Sequence, residues 1–397
     1  MKIYLLGYGK TTKAIAKTFD ISEIYDDRAI HGSIHSDNFP KNIESDSILV
    51  PTPAVPPHNK IVENFSGEIV SEYDLFYKNG FFPYTIWVSG TNGKTTLTEM
   101  ITHLLSDRFA VSGGNIGIPL GELSRDASIW VLETSSFTLH YTKYAKPNLY
   151  VLLPITKDHI DWHGSFKDYE ESKLKPIQNL SEGEIAIIPE KYSNIGSNGT
   201  IITYRDSSDL AQKFGLDSSK ISFRGAFLLD ALLSLSVTKV LFDSVNYDKI
   251  DKYKKAPHRQ EFFSERGGKI WIDDSKATNV ESVLALLENY ENRDEIYLIL
   301  GGVDKGGDWK PLFEKLELMN VEIFGIGNFR NEIEKFSNEF KIPFSNSETI
   351  EKAVSEIYKK EKKGFAILSP ACASFDQFRS YVDRGEKFKR IVLSEKF

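Results

Sequence analysis

The sequence predicts a three-domain α/β protein in which a central α/β domain is flanked by two Rossmann-like ones. Three observations predict it. Apolar, strand-like runs alternate with helix-periodic segments along the whole chain, the pattern of parallel, doubly wound sheets. Polar or Gly-rich turns close several of those strands, which places ligand-type residues at sheet edges. The 397 residues are enough for two or three separate cores, with breaks at Phe81-Phe82-Pro83 and Ala256-Pro257-His258-Arg259. The expected domains are 1–82, 83–255 and 256–397.

The first domain opens as a βαβ unit. Residues 2–6 read as a strand, Gly7-Tyr8-Gly9-Lys10-Thr11-Thr12 turns into a helix carrying Ala14, Ile15 and Phe19, and a short strand Ile24-Tyr25 ends at Asp26-Asp27-Arg28. The turn resembles a dinucleotide fingerprint with an acidic residue about 20 positions on, but Thr12 replaces its third glycine. A nucleotide or diphosphate on this turn and a purely structural βα turn fit these residues about equally. Val50–Pro57 is a strand end followed by a proline-stiffened loop.

The central domain contains the most informative stretch, Thr85–Ser106, where an apolar strand runs into Gly90-Thr91-Asn92-Gly93-Lys94-Thr95-Thr96 and opens a helix. Leu97, Met100, Ile101, Leu104 and Leu105 recur at helical spacing, so one face is buried and the N-terminus points at the loop. Backbone N–H groups and the helix dipole then converge on an anion. Lys94 can neutralise a phosphate oxygen, and the Thr95 or Thr96 hydroxyl can reach Mg²⁺. An ordinary glycine turn between strand and helix is the plainer alternative, and the strand before the loop and the helix after it favour the phosphate reading. The central domain is thus expected to be of the P-loop ATPase type.

Further carboxylates and imidazoles follow at the same edge. A strand Ile129–Leu132 stops at Glu133, a first candidate for Mg²⁺, which favours one or two carboxylates beside nucleotide phosphates. The strand Leu149–Leu153 leads to a cluster with Asp158, His159, Asp161 and His163, a candidate for a second metal or substrate site. The helix Phe166–Leu180 carries Lys173 and Lys175, which composition alone makes solvent-facing, and Gly225–Val240 is a long apolar helix. In the third domain a hairpin Glu261–Ile272 precedes Asp273–Asn279, and strands Tyr297–Leu300 and Phe365–Leu368 end at Gly301–Gly307 and Ser369–Phe375.

The composition excludes several classes. Hydrophobic residues make up 41% and charged residues 26%, and the net charge of -7 argues against a nucleic-acid surface. The chain starts at once with an apolar strand instead of a secretory signal, and no apolar run reaches the roughly 20 residues of a membrane span. A cytoplasmic protein without membrane insertion is expected. The single cysteine, Cys372, rules out an internal disulfide and reads as a small buried residue.

The motifs resemble those of the Mur ligases, ATP-dependent amide-forming enzymes of peptidoglycan synthesis with relatives among the folylpolyglutamate synthetases. Gly90–Thr95 matches the compact phosphate loop of that superfamily. Asn115-Ile116-Gly117, Asp274–Asn279, Leu300-Gly301-Gly302 with Asp304-Lys305-Gly306, and Leu368–Phe378 with Arg384-Gly385 resemble the members that add D-glutamate to UDP-N-acetylmuramoyl-L-alanine. The resemblance implies that Gly90, Thr91, Asn92, Gly93, Lys94, Thr95 and Thr96 hold ATP, with Asn115 beside the γ-phosphate. It implies two Mg²⁺ ions, with Thr95, Glu133, His159 and Lys173 as ligands, Lys173 being carried as a CO₂-derived carbamate.

The same resemblance assigns Arg259, Asp274 and Lys276 to the nucleotide and Thr278, Lys305, Ser374 and Phe375 to D-glutamate. Gly9, Thr11, Thr12, Asp27 and Arg28 would hold the uridine diphosphate end, in a monomeric enzyme. Where the family has Gly-x-His-Asn this chain reads Gly225-Ala226-Phe227-Leu228, with Asp230 as a stand-in for the asparagine. Three rivals remain: a sister ligase or folylpolyglutamate synthetase-like enzyme, a nicotinamide oxidoreductase resting on Gly7–Thr12 alone, and a P-loop protein that hydrolyses ATP without ligation.

Overall fold

A computed structural model describes residues 2–28 and 30–394. Its strands form three sheets. The first sheet holds β1 (Ile3–Leu6), β2 (Glu23–Asp26), β3 (Ile34–His35), β4 (Ile48–Pro51) and β5 (Glu68–Ile69), all parallel, in the order β3-β2-β1-β4-β5. The helix Lys10–Thr18 follows β1 and buries Thr12, Ala14 and Ile15.

The second sheet holds β6 (Tyr84–Ser89), β7 (Ala110–Gly114), β8 (Ile129–Glu133), β9 (Leu149–Leu152), β10 (Ile185–Pro189) and β11 (Thr200–Tyr204), again parallel, in the order β11-β10-β9-β6-β8-β7. Strand β6 lies in its middle, with Val88 paired to Glu133 on one side and Val151 on the other. Ile86 and Val88 pack with Leu97, Met100, Ile101 and Leu104 of the helix Lys94–Leu104. Trp87 faces the opposite core with Tyr73, Trp130 and Tyr150. A parallel sheet needs cover on both faces, and this alternation supplies it.

These two sheets belong to one compact unit, residues 1–223 with 227–253. Asp74, fully buried, is one reason. Its Oδ1 accepts from the backbone N–H groups of Tyr144 (2.7 Å) and Ala145 (2.8 Å), and its Oδ2 from those of Lys143 (3.0 Å) and Ser71 (3.1 Å).

The other unit, residues 224–226 with 254–397, is built on the third sheet. It holds β12 (Glu261–Arg266), β13 (Lys269–Asp273), β14 (Ile296–Gly301), β15 (Val321–Ile326), β16 (Phe344–Glu348) and β17 (Gly364–Leu368), in the order β12-β13-β17-β14-β15-β16. Only the β12/β13 hairpin is antiparallel among the described pairs.

Some elements differ from the expectations. The edge strands β3, β5 and β7 and the pair β15 and β16 have no counterpart in the sequence reading, because they are short or carry Gly, Ser, Asn and Glu in place of a sustained apolar run. The helix Gly225–Phe242 is long and apolar enough to cross a membrane by length and composition. In this fold its Phe227, Ala231, Leu232, Leu233, Leu235 and Val237 pack into the core of the second sheet.

Candidate active site

The loop after β6 is held open by glycine geometry. Gly90 has φ 140° and Gly93 φ 81°, and a Cβ on Gly90 would lie 2.4 Å from Leu153 Cβ, so side chains at these positions would be strained and crowded. The loop is tied to the segment after β9. Thr91 N–H donates to Pro154 O (3.1 Å), its Oγ1 accepts from Thr156 N–H (2.9 Å), and the Tyr169 hydroxyl lies 2.9 Å away. Lys94 Nζ donates to the carbonyls of Gly90 (3.0 Å) and Thr91 (2.7 Å). Thr96 is buried and Thr95 half-buried, so Thr95 offers the more accessible hydroxyl.

The register of β6 and β8 brings Glu133 beside this loop. Glu133 is buried; its Oε1 accepts from Asn115 Nδ2 at 2.7 Å, whereas its Oε2 is buried with no partner. A buried acceptor left unpaired is costly, and a cation is the kind of partner that would relieve it. Lys173 stands across the loop, 1% exposed, with Nζ donating to Gly90 O at 2.8 Å. Burial drives its pKa well below the ordinary lysine value; Lys94 adds to the shift while Asp158 and Glu133 oppose it. Lys173 therefore leans towards the neutral amine, and its solvent-facing reading from composition is corrected: the helix turns it inward among Tyr150, Tyr169 and the loop.

The Asp158–His163 cluster does not converge on one point. His159 sits in the left-handed region (φ 53°) and pairs with Asp158 Oδ2 at 3.5 Å. Asp161 is exposed, and His163 is buried with Nε2 3.0 Å from Ser136 Oγ. Desolvation, reinforced by the neighbouring His140, His159 and Lys173, pushes the His163 pKa down to about 3. Its buried ring packs beside Phe137 and Trp162, and among the described residues these four, the candidate for a second metal or substrate site, do not bring their ligand atoms together as a metal-sized group. Asp230 lies against the loop, with Oδ1 2.9 Å from where a Gly93 Cβ would stand. Tyr169, the buried hydroxyl that anchors Thr91, carries no signal in the sequence beyond one aromatic on a helix face.

On the first sheet, Gly9, Thr11, Asp27 and Arg28 line a cavity of 580 Å³ together with Thr52–Pro56 and Asn59. Thr12 is corrected: it is fully buried, and its Oγ1 accepts from Gly9 N–H (2.9 Å) and donates to Gly9 O (3.0 Å), capping the helix instead of facing the cavity. Asp26, absent from the expected site, is its organiser. It accepts from Tyr8 N–H (2.7 Å) and from Arg28 Nε (2.8 Å), and the Arg28 guanidinium holds its carboxyl below the usual range.

In the C-terminal unit, Asp274 is buried and accepts from Ser369 Oγ (2.7 Å) and Gln260 N–H (3.1 Å); burial raises its pKa to about 7. Lys276 Nζ lies 4.2 Å from the Tyr381 ring centroid, and Lys305 Nζ donates to Thr278 Oγ1 at 3.3 Å. Ser374 is buried, Phe375 is 74% exposed, and Arg259 is half-buried next to His258. Arg384 is the buried brace of this rim, reaching Ser275 Oγ (2.9 Å), Ser275 O (2.8 Å) and Cys372 O (3.1 Å). Cys372 is buried, as expected. His258, Glu261 and Asp273 also converge closely enough for a metal, but Lys389 Nζ already sits 3.3 Å from Glu261 Oε2.

Residues 88–281 match the family model described as the Mur ligase middle domain. The chain is 42% identical over 405 residues to the UDP-N-acetylmuramoylalanine–D-glutamate ligase of Campylobacter jejuni, covering 99% of each. It is 38% identical over 426 residues to the enzyme of the same name from Helicobacter pylori, with both covered completely. Among solved structures, MurF ligase from Thermotoga maritima in complex with ADP is similar in fold, with a TM-score of 0.61 at 17% identity over 98% of this chain and 93% of that one. With relatives of such identity matched along nearly their whole length, the chain belongs to the Mur ligase family, among its UDP-N-acetylmuramoylalanine–D-glutamate ligases.

Proposed function

We propose that this protein joins D-glutamate to UDP-N-acetylmuramoyl-L-alanine at the expense of ATP, in the cytoplasm, as a monomer that does not insert into a membrane. The reading rests on family membership together with one observation: a single rim of the second sheet gathers a phosphate-type glycine loop, a carboxylate oxygen without a partner and a buried lysine whose Nζ donates to the loop. In this reading residues 1–82 take the UDP-sugar, 83–255 the ATP, and 256–397 the amino acid.

A carboxylate acylates poorly, so the terminal alanine carboxylate of the substrate first takes the γ-phosphoryl group from ATP. The loop N–H groups and the N-terminus of the helix Lys94–Leu104 hold the phosphates, and Lys94 exchanges its loop carbonyls for phosphate oxygens, offsetting charge in the transferring group. The acyl phosphate is then attacked by the D-glutamate amine, and collapse of the tetrahedral intermediate releases phosphate and leaves the amide. Arg259, Asp274 and Lys276 are assigned to the nucleotide, and Thr278, Lys305, Ser374 and Phe375 to D-glutamate.

The donor set suits Mg²⁺, which prefers oxygen ligands and one or two carboxylates. Glu133 Oε2, the Thr95 hydroxyl, His159 and Lys173 as a carbamate would hold it. Bound there, Mg²⁺ would neutralise phosphate charge. Carbamylation needs a neutral amine, which the lowered Lys173 pKa favours, and it would supply an anionic oxygen donor where an ammonium would repel the metal.

Phosphate release from ATP and Mg²⁺ tests the proposal. It is expected to require both UDP-N-acetylmuramoyl-L-alanine and D-glutamate, and to fall about a hundred- to a thousandfold in Lys94→Ala. Release that ignores D-glutamate, or accepts another amino acid equally, would favour a sister ligase or a plain ATPase.

A further inference from the structure

The first sheet carries a second hollow that the reading above leaves unused. A cavity of 640 Å³, lined by Asp37, Phe39, Lys41 and Lys60 among others, adjoins the one over the Gly9–Thr11 turn, and the two share Asp27 and Asn59 as lining residues. Their common rim therefore offers one carboxylate and one amide. The carboxylate of Asp27 already accepts a hydrogen bond from the Ser36 hydroxyl.

Asn59 is oriented by the backbone. It caps the helix Lys60–Asn64, and its Oδ1 accepts from Ile61 N–H at 2.9 Å. Because the acceptor end is used, the amide plane is fixed and the Nδ2 donors point away from the helix. No partner for Nδ2 occurs among the described residues. The cap explains the oxygen of Asn59; serine, threonine or aspartate would cap as well. It does not explain the nitrogen.

We infer that Asn59 determines specificity for the base of the nucleotide substrate, donating Nδ2–H to a carbonyl oxygen of uracil. The inference rests on the proposed function, which sets the diphosphate on the Gly9–Thr11 turn at the start of the nine-residue helix Lys10–Thr18. Because that turn, Asp26 at the end of β2, Asp27 and Asn59 line one cavity, a nucleoside attached to the diphosphate would reach the rim shared by the two cavities. Uracil presents two carbonyl acceptors flanking an N3–H donor, which match an amide donor and a carboxylate acceptor respectively. Cytosine presents an acceptor at N3 and an amino donor at C4, and so meets the Asp27–Asn59 pair with part of its pattern reversed.

Calorimetric titration of the full-length protein with UDP and with CDP tests this, using wild type, Asn59→Ser and Asn59→Asp. Both substitutions retain a cap, so unchanged thermal unfolding shows that the fold is intact. Wild type is expected to bind UDP more tightly than CDP. Asn59→Ser is expected to weaken UDP about five- to tenfold, as for one lost hydrogen bond, and Asn59→Asp to narrow the gap between UDP and CDP, with binding of a non-hydrolysable ATP analogue unchanged in both. Wild-type binding of UDP that neither variant alters would overturn the role of Asn59 while leaving the proposed function standing. Failure of wild type to bind UDP would remove the nucleotide-sugar reading of this cavity, and the inference with it.

Discussion

Lys173 shows what one side chain gains from its surroundings. Its helix places it beneath the glycine loop, where desolvation and Lys94 together disfavour the ammonium. Protein grown with ¹³C-bicarbonate is expected to show a carbamate carbon resonance by NMR that Lys173→Arg lacks; the same resonance in the variant would move the modification elsewhere. Glu72 is the other buried ionisable group of note. It is 7% exposed, its Oε2 has no partner, and burial raises its pKa from 4.5 to about 8. A raised carboxyl pKa stabilises the fold fully below the unfolded value, and that contribution is lost as pH rises through the folded one. The stability of Glu72→Gln relative to wild type is therefore expected to improve between about pH 4.5 and pH 8, by up to about 1.4 kcal/mol per pH unit. Denaturant unfolding across that range measures it, and a difference independent of pH would mean that Glu72 is not held protonated.

At the scale of elements, the site depends on which strand ends meet. The loop after β6 is legible in the sequence because its glycines, lysine and threonines are contiguous. The position of Glu133 at a strand end is legible too, but its meeting with Asn115 depends on the parallel register of β7 and β8. Asp74 is a comparable tie. As the acceptor for four backbone N–H groups, it holds the turn before its own helix to the segment after the helix Ser136–Tyr141. Asp74→Ala leaves those donors unpaired in a buried place, and a loss of about 3 kcal/mol is expected, read as a lower unfolding midpoint in urea. A loss below about 1 kcal/mol would show that water replaces the carboxylate there.

For the whole molecule, the two compact units each close their own cores. The C-terminal one packs both faces of its sheet, with Leu298, Leu300 and Ile323 on one side and Trp271, Ile299 and Phe324 on the other. A fragment spanning residues 254–397 is therefore expected to fold alone, with a cooperative thermal transition and dispersed amide resonances. A molten, non-cooperative fragment would show that this core is completed from outside the fragment.

The sequence alone determined the α/β class, the phosphate loop, Glu133 at a strand end and the family, because each is written in contiguous residues or in local periodicity. Tertiary structure decided what local pattern does not encode. It turned Lys173 inward, gave Thr12 a cap to make, sent His163 into an aromatic core while leaving Asp161 exposed, and set Asp27, just past the end of β2, and Asn59, a helix cap, on one rim. Those outcomes depend on burial and register, which are properties of the packed sheets. A helix such as Gly225–Phe242 reads the same whether lipid or a sheet covers it, and only the fold shows that here the sheet does.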